Sequence, residues 1–194
     1  MSTEEIYEKL QDKTLDIKEV QTLYEMYKNN KEIESMIAMN LSLRTSVYDK
    51  TLEKSETIIY LLEELSLSSS MEARWAVAKN PHTPVAVLET LARDEVNLVR
   101  ALVATNSNTP CAILDTFFND EKIVRDGLSG NPNTSIRLLK ILCKDNDKMV
   151  RLRVADNSAT SQEILEQLLN DKEENVRMAA QANLRKKASQ EERK

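Results

Sequence analysis

An arginine recurs through the chain at an almost constant interval. The column comprises Arg74, Arg100, Arg125, Arg151 and Arg177, at spacings of 26, 25, 26 and 26 residues. A unit this short cannot bury an apolar face by itself, so each unit must use its neighbours as core. The period therefore predicts a stack of repeats rather than a globular fold around one centre.

Each repeat carries the signals of two helices. A threonine column predicts the N-cap of the first helix, and apolar residues five and eight positions later predict its buried stripe. A turn around an aspartate follows, and then a second, shorter helical segment that bears the arginine. The threonines are Thr83, Thr109, Thr134 and Thr160, and the stripe is Leu88, Leu91, Leu114, Phe117, Leu139, Leu142, Leu165 and Leu168.

An asparagine column closes the second segment of each repeat. Its members are Asn80, Asn106, Asn131, Asn157 and Asn183. Asparagine stops a helix either by adopting a left-handed conformation or by bonding its side chain to backbone groups. Both readings are open from the sequence.

The repeat template extends toward the N-terminus, but some of its characteristic residues are missing there. Ser68 replaces the aspartate in the repeat of Arg74. One step further back, the apolar positions are filled by Met36, Met39, Val47 and Tyr48 without an arginine, which predicts a degenerate repeat over residues 31–56.

Residues before this degenerate repeat predict a capping helix. Asp16 and Glu19 resemble a capping pair, and the apolar face of the helix is Ile17, Val20, Leu23, Tyr24 and Tyr27. We therefore predict one continuous domain with an N-terminal helical cap and degenerate repeat at 1–56, five repeats at 57–185 and a disordered tail at 186–194.

The repeated residues resemble a known family. Over 57–185 the pattern of Val-Arg, Val-Ala, Asn, Pro, Thr-Pro, Leu, Leu and Asp resembles the leucine-rich repeat variant, and its aspartate and Val-Arg pair also resemble HEAT repeats. The resemblance implies an all-α, right-handed α-solenoid of two-helix repeats, with capping helices at the N-terminus. It also implies that the second segment is α-helix or partly 3₁₀.

Cofactors and metals are not expected. Some members of the variant family hold an iron–sulfur centre through a cysteine cluster ahead of the repeats. Here Cys111 and Cys143 lie inside repeats at different template positions, so we expect two free thiols and no cofactor or metal.

Composition narrows the class and the compartment. The 194 residues are 41% apolar and 30% charged, with a net charge of −5, which disfavours nucleic acid as the partner. The sequence lacks the run of about 18 apolar residues that a membrane span needs, and it lacks a secretory leader at Met1. We expect a cytoplasmic monomer.

The arginine column has two readings. Five guanidinium groups in register would suit an anionic ligand. Alternatively, aspartates five or six residues before four of the arginines indicate a structural ladder, which is the reading we favour. The ladder comprises Asp94, Arg100, Asp120, Arg125, Asp145, Arg151, Asp171 and Arg177, and it leaves Arg74, whose template aspartate is Ser68, as the arginine most free for another acceptor.

The position after each arginine also has two readings. It holds Trp75, Ala101, Asp126, Leu152 and Met178. The large apolar members either pack between neighbouring segments or form a stripe that grips a partner. We take Arg74, Trp75, Leu152 and Met178 as the candidate partner-binding residues.

Catalysis finds no support in the sequence. His82 lies in a turn between repeats, and no phosphate loop, metal-ligand spacing or nucleophile motif is present. We therefore expect a non-enzymatic scaffold that binds a protein or peptide along its concave face. The alternative is a HEAT-like protein that binds or processes nucleic acid.

Overall fold

A computed structural model describes residues 1–44 and 55–191 of the chain. All regular elements in these ranges are helices, thirteen in number. The chain divides into two compact units, Met1–Asn108 and Thr109–Lys194. The single continuous domain that we predicted stays a prediction.

The helices follow the predicted pattern of two helices per repeat. Unit 1 contains α1 (Thr3–Gln11), α2 (Ile17–Met26), α3 (Lys31–Arg44), α4 (Glu56–Leu65), α5 (Met71–Lys79), α6 (Val85–Leu91) and α7 (Asn97–Thr105). Unit 2 contains α8 (Cys111–Leu114), α9 (Lys122–Gly130), α10 (Ile136–Leu142), α11 (Lys148–Asp156), α12 (Gln162–Leu168) and α13 (Glu174–Glu191).

Helices two apart in sequence pack against each other within each unit. In unit 1, α1, α3, α5 and α7 form one layer by successive contacts, and α2 packs against α4. In unit 2, α9, α11 and α13 form the equivalent layer. The predicted all-α solenoid packing is confirmed, while its handedness stays a prediction. The predicted leucine stripe is also confirmed, because each of its members is at most 2% exposed.

The first helix of a repeat begins one residue later than predicted. Ser135 and Ser161 are the N-caps of α10 and α12, and prolines occupy the same position in the two preceding repeats. The threonine before the cap closes the preceding helix instead. The Oγ1 atoms of Thr83, Thr134 and Thr160 donate to carbonyl oxygens six residues earlier at 2.6 Å.

The second helix of each repeat is α-helical. From the repeat of α6 and α7 onward it is also the longer of the two helices, which corrects the prediction, whereas in the repeat of α4 and α5 it is shorter, with nine residues against ten. Helices α5, α7, α9 and α11 each have nine residues, whereas α6, α10 and α12 have seven. The second helix begins three residues before its arginine, two residues earlier than the predicted start at the valine, which adds about half a turn. Helices α5, α7, α9 and α11 end at the residue before the asparagine, whereas α13 continues through Asn183 to Glu191.

The N-terminal region differs in register from the predicted degenerate repeat. Helix α2 forms where predicted and buries Val20, Leu23 and Tyr24, and Asp16 is its N-cap, accepting the backbone N–H of Lys18. The predicted pairing of Asp16 with Glu19 stays a prediction. Helix α3 buries Ile33, Ile37 and Leu41, so Met39 is 46% exposed instead of lying in the core. Helix α3 belongs to the layer of second helices because it packs on α1 and α5. The predicted positions Val47 and Tyr48 lie outside the described residues.

Helix α13 extends further than predicted. It continues through Glu191, so the part of the expected disordered tail at 186–191 is helical. None of the helices that the structure describes is both long enough and apolar enough to cross a bilayer.

Candidate functional site

Arginines of the second helices bind aspartates of the following repeat, twenty residues later. In unit 1, Arg74 Nε lies 2.6 Å from Asp94 Oδ2, and Nη2 lies 3.1 Å from Oδ1. In unit 2, Arg151 binds Asp171 with the same two distances, and Arg125 binds Asp145 at 2.7 and 3.3 Å. Each pair is bidentate, the strongest geometry for this interaction. We call these contacts the arginine–aspartate ladder.

The same arginines also bind their own repeat. The Nη1 atom donates to the carbonyl oxygen of the residue at the template aspartate position, five or six residues earlier, at 2.7–2.9 Å. The contacts join Arg74 to Ser68, Arg100 to Asp94, Arg125 to Asp120, Arg151 to Asp145 and Arg177 to Asp171. In Arg74, Arg125 and Arg151, one guanidinium therefore connects the turn of its own repeat to the turn of the next.

The aspartates of the ladder are held in the ionised form. Asp171 Oδ1 accepts the backbone N–H of Glu173 at 2.9 Å. The hydrogen bond from Arg151 is the largest influence on Asp171, and it holds the pKa of that carboxyl below its ordinary value. For Asp94, burial raises the pKa, but the hydrogen bonds from Arg74 and from the Val96 N–H outweigh it and the pKa is lowered.

Arg74 is engaged like the other arginines, which corrects the prediction that it is free. Its side chain is 12% exposed and binds Asp94. The contact to its own repeat is to the carbonyl of Ser68, which does not depend on the side chain at that position. Ser68 itself donates through Oγ to the buried carboxylate of Glu34.

The asparagine column forms a second ladder of hydrogen bonds. In unit 1, Asn106 Nδ2 donates to the carbonyl oxygens of Ala78 and Asn80, both at 2.9 Å. In unit 2, Asn157 and Asn183 make the same pair of contacts, 28 and 26 residues earlier. The backbone at Asn106 is extended, not left-handed. The Oδ1 atom of Asn106 accepts the backbone N–H of Asn108 at 2.9 Å, so the side chain binds backbone groups beyond the helix end as well as in the preceding repeat; this choice was open from the sequence. Asn183 makes the same contacts to the preceding repeat but lies inside α13.

The position after the arginine points away from the ladder. Trp75 and Leu152 are half-buried, Met178 is 62% exposed and Ala101 is buried. Lys79 Nζ lies 5.2 Å from the centre of the Trp75 ring, on the same helix. Trp75 and Leu152 thus combine packing with accessible apolar surface, and Met178 is mainly accessible.

Sequence reasoning missed a further exposed column two residues before the arginine. Leu98, Ile123 and Met149 are 42%, 40% and 38% exposed. Positions three apart on a helix share a face, so this column lies beside the position after the arginine. The signal was present in the sequence, since three of five repeats place a large apolar residue there.

Trp75 and Leu98 lie in an apolar groove of unit 1 with a volume of about 900 Å³. Four helices of one layer form its walls. The apolar lining residues come from α1, α3, α5 and α7, and they are Tyr7, Leu10, Met36, Met39, Leu43, Met71, Trp75 and Leu98. Concave apolar sites of this size are common binding sites.

Hydrogen bonds between the helices fix the walls of the groove. The buried Asn40 Nδ2 donates to the Leu10 carbonyl at 2.6 Å and joins α3 to α1. The hydroxyls of Ser35 and Ser70 lie 2.7 Å apart and join α3 to the start of α5. Ser70 also donates to Glu72 at 2.7 Å, and this contact is the largest influence lowering the pKa of Glu72.

Among the described residues, neither the histidine nor the two cysteines line the groove. Within residues 1–44 and 55–191, no three histidine, cysteine or acidic side chains are placed to hold a metal ion. His82 is half-buried in its turn, and Cys111 is exposed while Cys143 is buried, without a disulfide.

Comparisons with known proteins return one solved structure of interest. No family model matches the chain, and no curated protein matches it. Over 92% of its length the chain is similar to a structure described as a leucine-rich repeat variant with a novel repetitive protein structural motif, at 20% identity and a TM-score of 0.43. The match covers 80% of that structure's chain. The helical-repeat fold follows from the chain's own helices and their packing.

Proposed function

We propose that this protein is a non-catalytic helical-repeat scaffold that binds a protein or peptide partner along the concave face of its solenoid. The groove of unit 1 carries the proposal. It offers accessible apolar side chains on helices whose positions are fixed before binding. A preorganised surface lowers the entropic cost of association.

Trp75 is the central anchor in this proposal. Tryptophan is enriched among the residues that dominate binding energy, and Trp75 lies among Met36, Met39 and Leu98 in the groove. Arg74 contributes by positioning Trp75 and not by binding the partner itself. Its contacts to Asp94 and Ser68 hold α5 in place. Leu152 and Met178 provide further apolar contacts on unit 2.

The test is affinity capture from native lysate with two matched triple variants. The first is Trp75→Glu, Leu152→Glu, Met178→Glu. The second is Met26→Glu, Leu67→Glu, Leu169→Glu, which places the same charges at exposed apolar positions outside the second helices, 65%, 73% and 36% exposed. Circular dichroism first establishes that both are folded.

Loss of a partner by the first variant, with retention by the second, is the expected outcome. Equal capture by both variants and the wild type would contradict the proposed face. Nucleic-acid binding remains the alternative, and a mobility-shift assay tests it. Binding driven by phosphate contacts would be strong at low salt and would collapse as salt rises.

A further inference from the structure

The groove of unit 1 has the length of a short helix. Its lining follows α3 from Lys31 to Leu43 through positions on one face of that helix. At 1.5 Å per residue, these twelve steps span about 18 Å. A helix of three to four turns laid beside α3 would match this length.

The chemistry of the walls selects a helical occupant. The surface of the groove is mainly apolar, and its walls are helices whose interior N–H and C=O groups are already paired. An extended segment would bring unpaired backbone groups into this surface, and a buried unpaired polar group is costly. A helix satisfies its own backbone and presents side chains alone.

The lining residues also suit a helix of variable sequence. Met36, Met39 and Met71 contribute three flexible, polarisable side chains to the walls. Methionine adapts to irregular apolar surfaces, and helix-in-groove recognition depends on apolar anchors spaced three, four and seven residues apart.

The charge of unit 1 favours a basic polar face on that helix. Unit 1 contains 18 acidic and 12 basic residues, a net charge of −6, whereas unit 2 contains 14 and 15, a net charge of +1. Glu32 and Glu72 lie at the groove itself, with Lys31 as the basic residue of the lining. A negative surface attracts cationic partners and disfavours anionic ones.

We propose that the groove of unit 1 binds an amphipathic α-helix of three to four turns whose polar face is basic. This inference rests on the proposed scaffold function and specifies its partner. The apolar anchors of the bound helix contact Trp75 and the methionines, and its lysine or arginine side chains face the acidic surface around the groove.

The experiment uses three synthetic 14-residue peptides. One arranges leucine and lysine with helical periodicity, the second replaces every lysine with glutamate, and the third alternates leucine and lysine so that it forms an extended strand. Trp75 is the chain's one tryptophan, so its fluorescence reports on the groove directly. We expect the basic helical peptide to shift the emission and to bind at least about tenfold more tightly than the other two.

A matched pair of variants locates the binding. Met39→Lys adds a charge in the groove, and Met26→Lys adds the same charge at an exposed methionine of α2 outside it. We expect Met39→Lys to weaken binding about tenfold or more relative to Met26→Lys. Equal affinity of the two variants would overturn the site.

Other outcomes separate this inference from the proposed function. Preference for the acidic or the extended peptide would overturn the inference that the partner is a basic helix, but it would still support a peptide-binding scaffold. Self-association of the protein that Met39→Lys abolishes, measured by sedimentation, would make a second copy the occupant and overturn the inference. If none of the three peptides binds, the inference fails, and the capture experiment decides the scaffold function separately.

Discussion

Two neighbouring residues of α5 belong to different regions of the molecule. Arg74 faces the arginine–aspartate ladder, where it is bound to Asp94 and Ser68. Trp75 faces the groove, where its ring is partly accessible. The ladder repeats from one repeat to the next in the sequence, whereas the groove is lined in part by α1 and α3, which lie before the five predicted repeats. Regular positions hold the stack together, and irregular positions give this chain its own surface.

The two regions also differ in how they tolerate change. A buried ion pair leaves an uncompensated charge when one partner is removed. An exposed apolar side chain leaves only a change in hydration. Substitutions should therefore be costly at the ladder and nearly neutral for stability at the exposed positions of the groove.

The largest loss is expected on breaking the most buried pair of the ladder. Arg151 and Asp171 have side chains only 6% and 7% exposed. Arg151→Ala removes two hydrogen bonds to Asp171 and leaves its carboxylate buried, so the free energy of unfolding should fall by about 3–5 kcal/mol. Urea unfolding followed by circular dichroism measures it.

An exposed ion pair in the same unit provides the control. Arg137 lies 3.2 Å from Asp115, with side chains 65% and 37% exposed. Arg137→Ala should lower the free energy of unfolding by less than about 1 kcal/mol. Similar losses in the two variants would show that the ladder is no stronger than a surface contact.

The asparagine ladder should come next in size. Asn157→Ala removes a buried amide and leaves the carbonyls of Ser129 and Asn131 without its two hydrogen bonds. We expect a loss of about 1–3 kcal/mol, the usual cost of unsatisfied buried groups. The same unfolding assay applies, and Asn170→Ala, at an exposed position, should change stability by less than about 0.5 kcal/mol.

Acid should weaken the arginine–aspartate ladder. The pKa of Asp171 is lowered in the folded state, first by the hydrogen bond from Arg151, relative to the ordinary 3.8. This contribution to stability is present above pH 3.8 and is lost as the pH falls through the lowered value. The free energy of unfolding, measured at a series of pH values, should fall more steeply with decreasing pH in this acid range. Asp171→Asn should have a shallower pH dependence there, and an unchanged slope would contradict the assignment.

The sequence predicts the repeat, its helices and its buried stripe because each of these is periodic. It does not predict the partner of each arginine, since the template aspartate position lies five or six residues earlier while the bound carboxylate lies twenty residues later. Arg74 donates to the backbone carbonyl of Ser68, a contact that needs no particular side chain at position 68. The loss of the aspartate there therefore does not free Arg74, contrary to our prediction. The sequence did not predict the groove, because Met36 and Met39 matched core positions in a repeat template that α3 does not follow.

A small gain in stability is expected at a position outside both regions. Gly130 ends α9, and an added Cβ would lie 3.7 Å from the Cδ atom of Arg153, an ordinary contact. Gly130→Ala should therefore raise the free energy of unfolding by about 0.4–1 kcal/mol by reducing the freedom of the unfolded chain. Ala182→Gly, at an exposed position within α13, should lower it by about 1 kcal/mol. A loss in both variants would indicate strain at Gly130.

The smallest effect on stability is expected in the groove itself. Met39→Lys and Met26→Lys both place an ammonium at a largely exposed methionine, so each should change the free energy of unfolding by less than about 0.5 kcal/mol. The same two variants should differ strongly in peptide binding. If Met39→Lys keeps its stability but loses peptide binding, the groove serves binding and, unlike the ladder, does not stabilise the fold. A large loss of stability in Met39→Lys would instead make that methionine part of the core.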